Sequence, residues 1–359
     1  MDVHFVSSLV VWIIVAILAI WQLLRWIPAG VDKYKPLPYI IGLLPFAYMP
    51  ILVIALVSAL LSMREAFFAS IIVLLISFIS NIPYVFSGIK RIFTVNREAK
   101  ACADETSEAK SNSSKSSTDS PSSSKSNANI RVMTLNCRYG HANAEQIIDI
   151  AKKYNVDTLL LQEVSETLVK KLFERDIDKL FTTHQIGEKS ANDNGGFNAI
   201  FTKRSAQKSL GKSIKFNAAN IPLITTKIDN ITVNFASAHT KSPMRGCAAW
   251  SEGILSLSNI CEIEKDENSK ILTVIAGDFN SIFDHPSFRK LLKSGLRDTA
   301  IELGMRLRTW PAWLRWPNIT LDHVLFKSNN CFAKPQFHKS IVIDGTDHLA
   351  YITHIRLSD

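Results

Sequence analysis

The apolar character of the first part of the chain limits its fold more than any other feature. Residues 5–27, 37–62 and 66–88 are charged only at Arg25, and each stretch provides the roughly twenty apolar residues that a helix needs to cross a bilayer. Helices this apolar would have no face to present to water in a soluble bundle. The pattern therefore predicts a membrane domain, residues 1–96, with three transmembrane helices.

The first stretch has a second interpretation, a cleaved signal peptide. Such peptides begin with basic residues and end at a cleavage site flanked by small residues. Residues 1–4 contain no Lys or Arg, and Trp21, Arg25 and Trp26 have the character of an interfacial anchor. We therefore expect a span that the protein retains.

The second and third stretches are separated only by residues 63–65, so we expect them to form a tight antiparallel hairpin. The second stretch contains Pro38, Pro45 and Pro50. A membrane helix can tolerate proline as a kink, because its neighbours satisfy the freed backbone groups.

Basic residues beside these stretches predict the orientation of the chain. The first four residues contain no Lys or Arg. Basic residues lie at the end of the first stretch and beyond it (Arg25, Lys33 and Lys35), and again after the third stretch (Lys90, Arg91, Arg97 and Lys100). Since such residues favour the cytoplasmic side, the pattern places the N-terminus outside and the soluble part in the cytoplasm.

A polar segment, residues 97–129, follows the apolar region and contains the sequence SNSSKSSTDSPSSSKSNAN. It has too few apolar residues for burial to offset the entropy of ordering it. We predict a flexible linker with a root-mean-square reach on the order of 30 Å.

Charge and cysteine content exclude some kinds of partner and site. The net charge of +9 would suit an anionic partner, but several basic residues flank the apolar stretches and no run of Lys and Arg forms a nucleic-acid patch. None of the five cysteines forms a CxxC pair, which argues against a zinc site. Their odd number argues against a complete disulfide framework.

The rest of the chain, residues 130–359, alternates between strand and helix patterns. Apolar runs at residues 131–136, 158–161 and 271–276 predict strands, and the helical spacing of residues 144–154 predicts a helix between the first two. This interleaving predicts an α/β or α+β domain, and about 230 residues can bury a sizeable core.

Polar residues recur where the apolar strands of this domain end or begin. They are Asn136, Glu163, His239, Asp278, Asn280, Asp322, His323, Asp347 and His348. Because the ends of packed strands can converge on one rim, carboxylates, amides and histidines at these positions form a candidate metal and phosphate site. Each residue alone has a structural explanation, such as a turn-forming Asn or a buried His. The ordered set is therefore more informative than any member.

In this order the set resembles the motifs of the endonuclease/exonuclease/phosphatase superfamily. The motifs here are LNCRYG, LLLQEV, ASAHTKSP, IAGDFNS, TLDHVLF and GTDHLAYITHI, and they extend over residues 130–356. The stretch NGGFNAIFTKRS is also similar to a strand of that family. The resemblance implies a catalytic domain over residues 130–359, folded as a four-layer sandwich of two mixed sheets with helices outside.

A narrower resemblance concerns TWPAWLRWPNITLDHVLF together with three spans ahead of the domain. These features are similar to a bacterial membrane-anchored subgroup that includes glycopeptide-resistance-associated proteins. That resemblance implies an integral protein of the bacterial plasma membrane whose catalytic domain lies outside the cytoplasm. The basic residues predict the opposite side, so the sequence leaves the side open.

The family resemblance implies a divalent metal, Mg²⁺ or Mn²⁺, and residues that hold it and the substrate. Glu163 would bind the metal with help from Asn136, and Asp347 would complete the metal site. Asn136 and Asn280 would bind the substrate phosphate. Arg245 would contact an anionic group of the substrate, although a surface Arg is the alternative interpretation.

The same resemblance implies five catalytic residues. Asp278 would orient and deprotonate the attacking water, and Asn280 would contact a phosphate oxygen. The other three would act on the scissile phosphate and the leaving group. His348 would contact that phosphate with its ring oriented by Asp322, and His239 would stabilise the transition state or protonate the leaving oxygen.

Three functions follow as hypotheses. The first is a membrane-anchored phosphoesterase that hydrolyses a phosphodiester or phosphomonoester, with lipid-linked substrates favoured because a tether raises their local concentration. The second is a membrane-bound nuclease. The third is a membrane sensor or adaptor that keeps the fold without turnover. Membrane lipid is an expected partner, and the sequence indicates no protein partner.

Overall fold

The structure, a computed structural model, describes residues 3–91, 128–192, 195–263, 266 and 268–358. The predicted linker, residues 97–129, lies outside the described residues except for its last two, which begin the first strand.

The first apolar stretch forms one continuous helix. Helix α1 spans Val3–Leu23 and continues into a 3₁₀ turn, Leu24–Trp26. Among the described residues, the segment His4–Trp26 is the one single helix long and apolar enough to cross a membrane. The first of the three predicted spans is thus confirmed in length and composition.

The other two stretches form bent helix pairs instead of straight helices. Helices α2, Leu37–Gly42, and α3, Tyr48–Leu60, belong to a pair bent by 62°. Helices α4, Arg64–Ser77, and α5, Ile82–Arg91, belong to a pair bent by 58°. The described residues therefore contain one span, or up to three if each bent pair crosses as one, and the three-helix prediction stays a prediction.

Proline explains the first of these bends. Pro45 lies in a 3₁₀ turn, Leu44–Phe46, between α2 and α3. Proline has no backbone N–H to donate, and its ring clashes with the preceding helical turn. The sequence predicted a kink in this stretch, and the structure bends the chain there by 62°.

Two six-stranded mixed sheets form the part of the chain after residue 127. The first sheet has the order β11-β12-β1-β2-β4-β3, with β1 and β2 parallel. Its strands are β1 Ala128–Asn136, β2 Thr158–Val164, β3 Thr183–Ile186, β4 Phe197–Thr202, β11 Phe332–Val342 and β12 Leu349–Ser358.

The second sheet has the order β5-β6-β7-β8-β10-β9, with β7 and β8 parallel. Its strands are β5 Ala206–Leu210, β6 Leu223–Ile228, β7 Ile231–Ser237, β8 Ile271–Asp278, β9 Arg297–Asp298 and β10 Asp322–Asn329.

Helices cover the outer face of each sheet. Helices α6 Ala144–Lys153, α7 Glu166–Phe173 and α8 Ile177–Leu180 pack on the first sheet. Helices α9 Pro243–Ser256 and α10 Pro286–Leu292 pack on the second, and α11 Thr299–Glu302 precedes β10. A third core lies between the two sheets. The predicted four-layer sandwich is therefore confirmed.

Strand β2 is buried on both faces, which explains its continuous apolar run. Leu160 faces the core between the sheets, whereas Leu159 and Leu161 face the core under the helices. Side chains alternate between faces along a strand, so a strand buried on both sides needs apolar residues at successive positions.

Candidate active site

The candidate site lies where the parallel strands of the two sheets end together. Asn136 ends β1 and Glu163 lies near the end of β2, both in the first sheet. Asp278 ends β8, and His239 follows β7, in the second sheet. Neighbouring parallel strands end at the same edge of a sheet, so the polar residues of each sheet lie together at that edge. Stacking the two sheets brings those edges together.

Asp278 is the centre of this arrangement and is buried. Its Oδ2 accepts a hydrogen bond from Asn136 Nδ2 at 3.0 Å, which joins the two sheets, and its Oδ1 accepts from the Asn280 backbone N–H at 2.8 Å. Oδ2 also lies 3.6 Å from Nε2 of both His239 and His348. Four predicted site residues therefore surround one carboxylate.

Gly277, which precedes Asp278, allows this close approach. A Cβ at that position would lie 1.9 Å from the carbonyl oxygen of Ala238. No L side chain fits there, so the glycine of the GDFN motif is required by the contact between β8 and the segment after β7.

His348 forms an ion pair with Asp322. Its Nδ1 lies 2.8 Å from Asp322 Oδ2. Burial alone would lower the pKa of His348, but the carboxylates of Asp322 and Asp278 raise it to about 10. His348 is therefore a cation at neutral pH, with Nε2 directed at Asp278.

His239 has the opposite electrostatic character. Burial lowers the pKa of His239, although the nearby Asp278 carboxylate acts against this effect. Its Nε2 lies 3.3 Å from Asn280 Nδ2, and Asn280 Nδ2 also donates to the Thr240 carbonyl at 3.2 Å. The site therefore contains one neutral and one charged imidazole on two sides of Asp278.

A β-bulge directs Glu163 into the site. The pairing of β2 with β4 shifts between Leu161 and Val164, and Glu163 has a left-handed backbone with φ 49°. Bulges commonly re-aim a side chain in this way. The Glu163 carboxylate accepts a hydrogen bond from the Tyr139 N–H at 3.0 Å, and burial raises its pKa.

Gly195 is a part of this site that the sequence analysis did not assign. A Cβ at Gly195 would lie 2.7 Å from Glu163 Cδ, so only glycine leaves room for the carboxylate. The NGG sequence before β4 was noted as a family feature and could have indicated this close approach.

Thr346 was also missed. Its hydroxyl donates to the Asn136 carbonyl at 2.7 Å and accepts from the His348 N–H at 3.2 Å. One side chain thus ties together the segments that carry Asn136 and His348. A hydroxyl residue two positions before a candidate His was the available signal.

Asp347 and Arg245 lie beside the cluster around Asp278. Asp347 accepts from Trp310 Nε1 at 3.1 Å and lies 3.8 Å from Arg138 Nε. Arg245 donates to the Tyr139 hydroxyl, and its guanidinium lies 5.6 Å from the centre of that ring. The structure thus brings the other seven predicted residues together and leaves these two at the mouth of the site.

His323 belongs to the packed interior. Its Nδ1 lies 2.6 Å from Asp298 Oδ2, its Nε2 lies 2.9 Å from the Ser281 carbonyl, and its ring packs against Phe279 and Phe288. The carboxylate of Asp298 and the carbonyl of Ser281 raise the pKa of His323 although burial alone would lower it. Its role is therefore structural.

The donor set fits a divalent metal. Asp278, Asp322 and His348 offer ligand atoms that lie within 4.8 Å of one another, and a hydrogen bond already joins Asp322 Oδ2 to His348 Nδ1. Buried Asp322 Oδ1 accepts no hydrogen bond from the described residues. Burial raises the pKa of both Glu163 and Asp278, so a bound cation would offset the free energy needed to ionise them. Oxygen donors of this kind suit Mg²⁺ or Mn²⁺.

Comparisons with known proteins were made for the sequence and for the fold. The model of the endonuclease/exonuclease/phosphatase family, whose members are hydrolases acting on phosphoester bonds, matches residues 133–348. A search of curated protein sequences gives no match.

Two similar solved structures are of TDP2. D. rerio TDP2 humanized by 14 mutations is 17% identical with a TM-score of 0.51, and the match covers 63% of this chain and 98% of that chain. D. rerio TDP2 complexed with single-strand DNA product is 16% identical with a TM-score of 0.51, covering 64% and 99%. Identities this low show a shared fold and no more. On the family match and this fold, the chain belongs to the endonuclease/exonuclease/phosphatase family.

Proposed function

We propose that this protein is a membrane-anchored phosphoesterase that depends on Mg²⁺ or Mn²⁺ and hydrolyses a lipid-linked phosphoester. Its chain would divide into a membrane domain, residues 1–96, a linker, residues 97–129, and a catalytic domain, residues 130–359. The observation that carries the enzymatic proposal is the convergence of an amide and two imidazoles on Asp278.

The proposed chemistry assigns one task to each group. Glu163 and Asn136 would hold the metal, which would supply positive charge to the phosphate oxygens. Asp278 accepts the proton of the attacking water, and its raised pKa makes it a stronger base. Asn280 donates a hydrogen bond to a phosphate oxygen.

The histidines would act on the developing negative charge. His348 carries a full positive charge because Asp322 holds its proton on Nδ1, so its Nε2–H can donate to the scissile phosphate. His239, neutral and on the other side of Asp278, would stabilise the transition state or the leaving oxygen.

Exposed apolar side chains beside the site support a lipid-linked substrate. Trp313 is 66% exposed, Trp316 53%, Met244 81% and Tyr139 50%. One of these contacts a predicted site residue directly, and a second reaches one through Trp310. Tyr139 donates its N–H to Glu163, and Trp313 packs on Trp310, which donates to Asp347. We call these four exposed residues the apolar rim.

The apolar rim is continuous with the N-terminal apolar region. The ring of Trp316 meets that of Phe46 edge to face, with centroids 6.4 Å apart. The Tyr39 hydroxyl donates to the carbonyl of Pro243, the neighbour of Met244, at 2.9 Å. Trp and Tyr are the side chains preferred at a membrane interface, so this continuity supports a substrate whose phosphate lies at the bilayer surface.

The test uses the full chain purified in detergent and reconstituted into vesicles. We expect hydrolysis of phospholipid or polyprenyl phosphate in the presence of Mg²⁺ or Mn²⁺, loss of turnover in EDTA, and recovery when the metal is restored. The panel also contains plasmid DNA and a soluble phosphodiester. Faster cleavage of plasmid than of any lipid would favour the nuclease hypothesis. A folded protein with added metal that turned over none of these substrates would favour the adaptor hypothesis.

Replacing Trp313 by Ser should lower the ratio of turnover on vesicles to turnover on the soluble phosphodiester by about tenfold, because an interfacial contact of about 1–2 kcal/mol is lost. Phe332→Ser is the matched control. Phe332 is also an exposed aromatic residue, but it pairs with Ser358 at the end of β12 away from His348. An equal loss on both substrates would contradict an interfacial role for Trp313.

A further inference from the structure

The segment between the first two helices, residues 28–39, makes buried polar contacts with the catalytic domain; we call it the juxtamembrane segment. Asp32 is fully buried there. Its carboxylate accepts hydrogen bonds from the Ser287 hydroxyl at 2.5 Å, the Ser287 N–H at 2.9 Å and the Gly30 N–H at 3.1 Å. The Ser251 hydroxyl adds a fourth at 3.4 Å.

Four donors around one carboxylate form a specific contact. A buried carboxylate is strongly unfavourable unless hydrogen bonds replace its water. Ser287 lies in α10 and Ser251 in α9, so these donors come from the two helices that cover the second sheet. The contact is satisfied only when the juxtamembrane segment lies in one position against both helices.

A second contact involves His285. Its Nε2 lies 2.9 Å from the Pro38 carbonyl, while its Nδ1 accepts from the Ile282 N–H at 2.9 Å. With Nδ1 acting as an acceptor, Nε2 must carry the proton and donate it to Pro38. The juxtamembrane segment therefore binds the catalytic domain at Ser287 and again at His285.

A third contact comes from the end of the first helix. Arg25 lies 3.8 Å from Asp284, and its backbone carbonyl accepts a hydrogen bond from Arg289. Asp284, His285 and Ser287 are close neighbours in sequence. All three contacts therefore reach residues 281–287, which comprise most of the connection after β8 and the first two residues of α10. We call these seven residues the loop after β8.

The loop after β8 follows Asp278 and Asn280 directly. Asn280 has a left-handed backbone with φ 46°, a conformation that Asn adopts more readily than most residues. Trp250 Nε1 donates to the Asn280 carbonyl at 3.0 Å, and the Trp250 ring packs against His285 with centroids 4.8 Å apart. A chain of direct contacts thus joins Pro38 to Asn280.

We propose that the juxtamembrane segment supports the active site by holding the loop after β8 in place, with Asp32 as the positioning residue. Asp32 and Pro38 lie outside residues 133–348, which match the family, so this chain adds them to the family domain. The contacts hold Asn280 and Asp278 in their catalytic geometry and fix the site relative to the membrane helices. The kinetic part of this proposal rests on the proposed function.

The first experiment asks whether the N-terminal part and the catalytic domain stay bound to each other when the covalent connection between them is cut. A protease site inserted between Ser117 and Thr118 allows the covalent connection of the full-length protein to be cut in detergent. We expect the cut halves to elute together in size-exclusion chromatography and to keep the turnover of the uncut protein. Asp32→Ala should make the cut halves separate. Asp149→Ala, at an exposed position on α6, is the matched control and should leave them together.

Steady-state kinetics on the uncut protein tests whether Asp32 positions the catalytic residues. Asp32→Ala should lower kcat about tenfold or more, because several hydrogen bonds to a charged group are lost, while KM for the soluble phosphodiester stays within about twofold. Asp32→Asn keeps the shape and one acceptor oxygen, so it should recover part of that loss. A general loss of folded protein would instead lower the thermal unfolding midpoint and the active fraction in both variants.

Two results would overturn the proposal: separation of the cut wild-type halves, or an unchanged kcat in Asp32→Ala. If the uncut wild type has no phosphoesterase activity, the proposed function fails, while elution of the cut halves still decides whether the docking exists.

Discussion

Replacing Asp278 by Asn should lower kcat for phosphoester hydrolysis about 10³-fold, which is the typical loss when a general base is removed. The substitution keeps the size of the side chain but removes its ability to accept a proton. It also places an amide group where Oδ2 accepts from Asn136 and faces two imidazoles. We expect the largest single effect here because this carboxylate contacts Asn136 and lies beside both imidazoles.

The measurement is single-turnover kinetics with saturating Mg²⁺, together with the thermal unfolding midpoint. Asp149→Asn is the control, since Asp149 is exposed on α6 and away from the strand ends. If Asp278→Asn retained more than about a tenth of the wild-type kcat, proton transfer by Asp278 would contribute little to the rate.

Replacing Asp322 by Asn should lower kcat about 10²-fold, within the range expected when a catalytic acid or base is disturbed. Asp322 Oδ2 lies 2.8 Å from His348 Nδ1 and holds the proton on that nitrogen. Together with Asp278, it raises the pKa of His348 to about 10. An amide in place of the carboxylate removes this charge, and burial then favours the neutral imidazole.

A double-mutant cycle provides the measurement for Asp322. If Asp322 acts through His348, the loss in Asp322→Asn combined with His348→Gln should be close to that of His348→Gln alone, because residues that act as a unit are not additive. Fully additive losses would mean that Asp322 has a separate role. Its unpaired Oδ1 would then be examined as a metal ligand.

The proposed arrangement joins catalysis to the membrane through two features of one chain. The apolar rim lies beside the site and meets the N-terminal apolar region at Phe46. Asp32 and Pro38 contact the loop after β8, which directly follows Asp278 and Asn280 in sequence. A site fixed in this way would meet phosphates at a constant depth in the interface.

The sequence predicted the buried strands better than the edge strands. Strands β1, β2 and β8 are buried apolar runs, and each was predicted close to its observed position. Strand β11 was not predicted. It lies at the edge of the first sheet, contains Pro335 at a register shift and alternates polar with apolar residues irregularly. An edge strand is half exposed, so burial does not impose a readable pattern on it.

The candidate residues could be named from sequence, but the direction of each side chain could not. Asp347 and His348 are adjacent, yet His348 contacts Asp322 whereas Asp347 contacts Trp310. Both residues lie in the bend before β12, so which of them faces the site depends on how that segment packs and not on a strand period.

The sequence by itself determined the apolar first helix, the interleaving of strands and helices and the order of polar residues at strand ends, because these depend on local period and composition. The four-layer class was expected from the family resemblance of the ordered motifs and not from local period. Only the tertiary structure decided that Asn136 meets Asp278 across two sheets, and that Asp32 meets Ser287, 255 positions further along the chain. Such contacts depend on how complete layers pack, and a local pattern holds no information about a partner so distant along the chain.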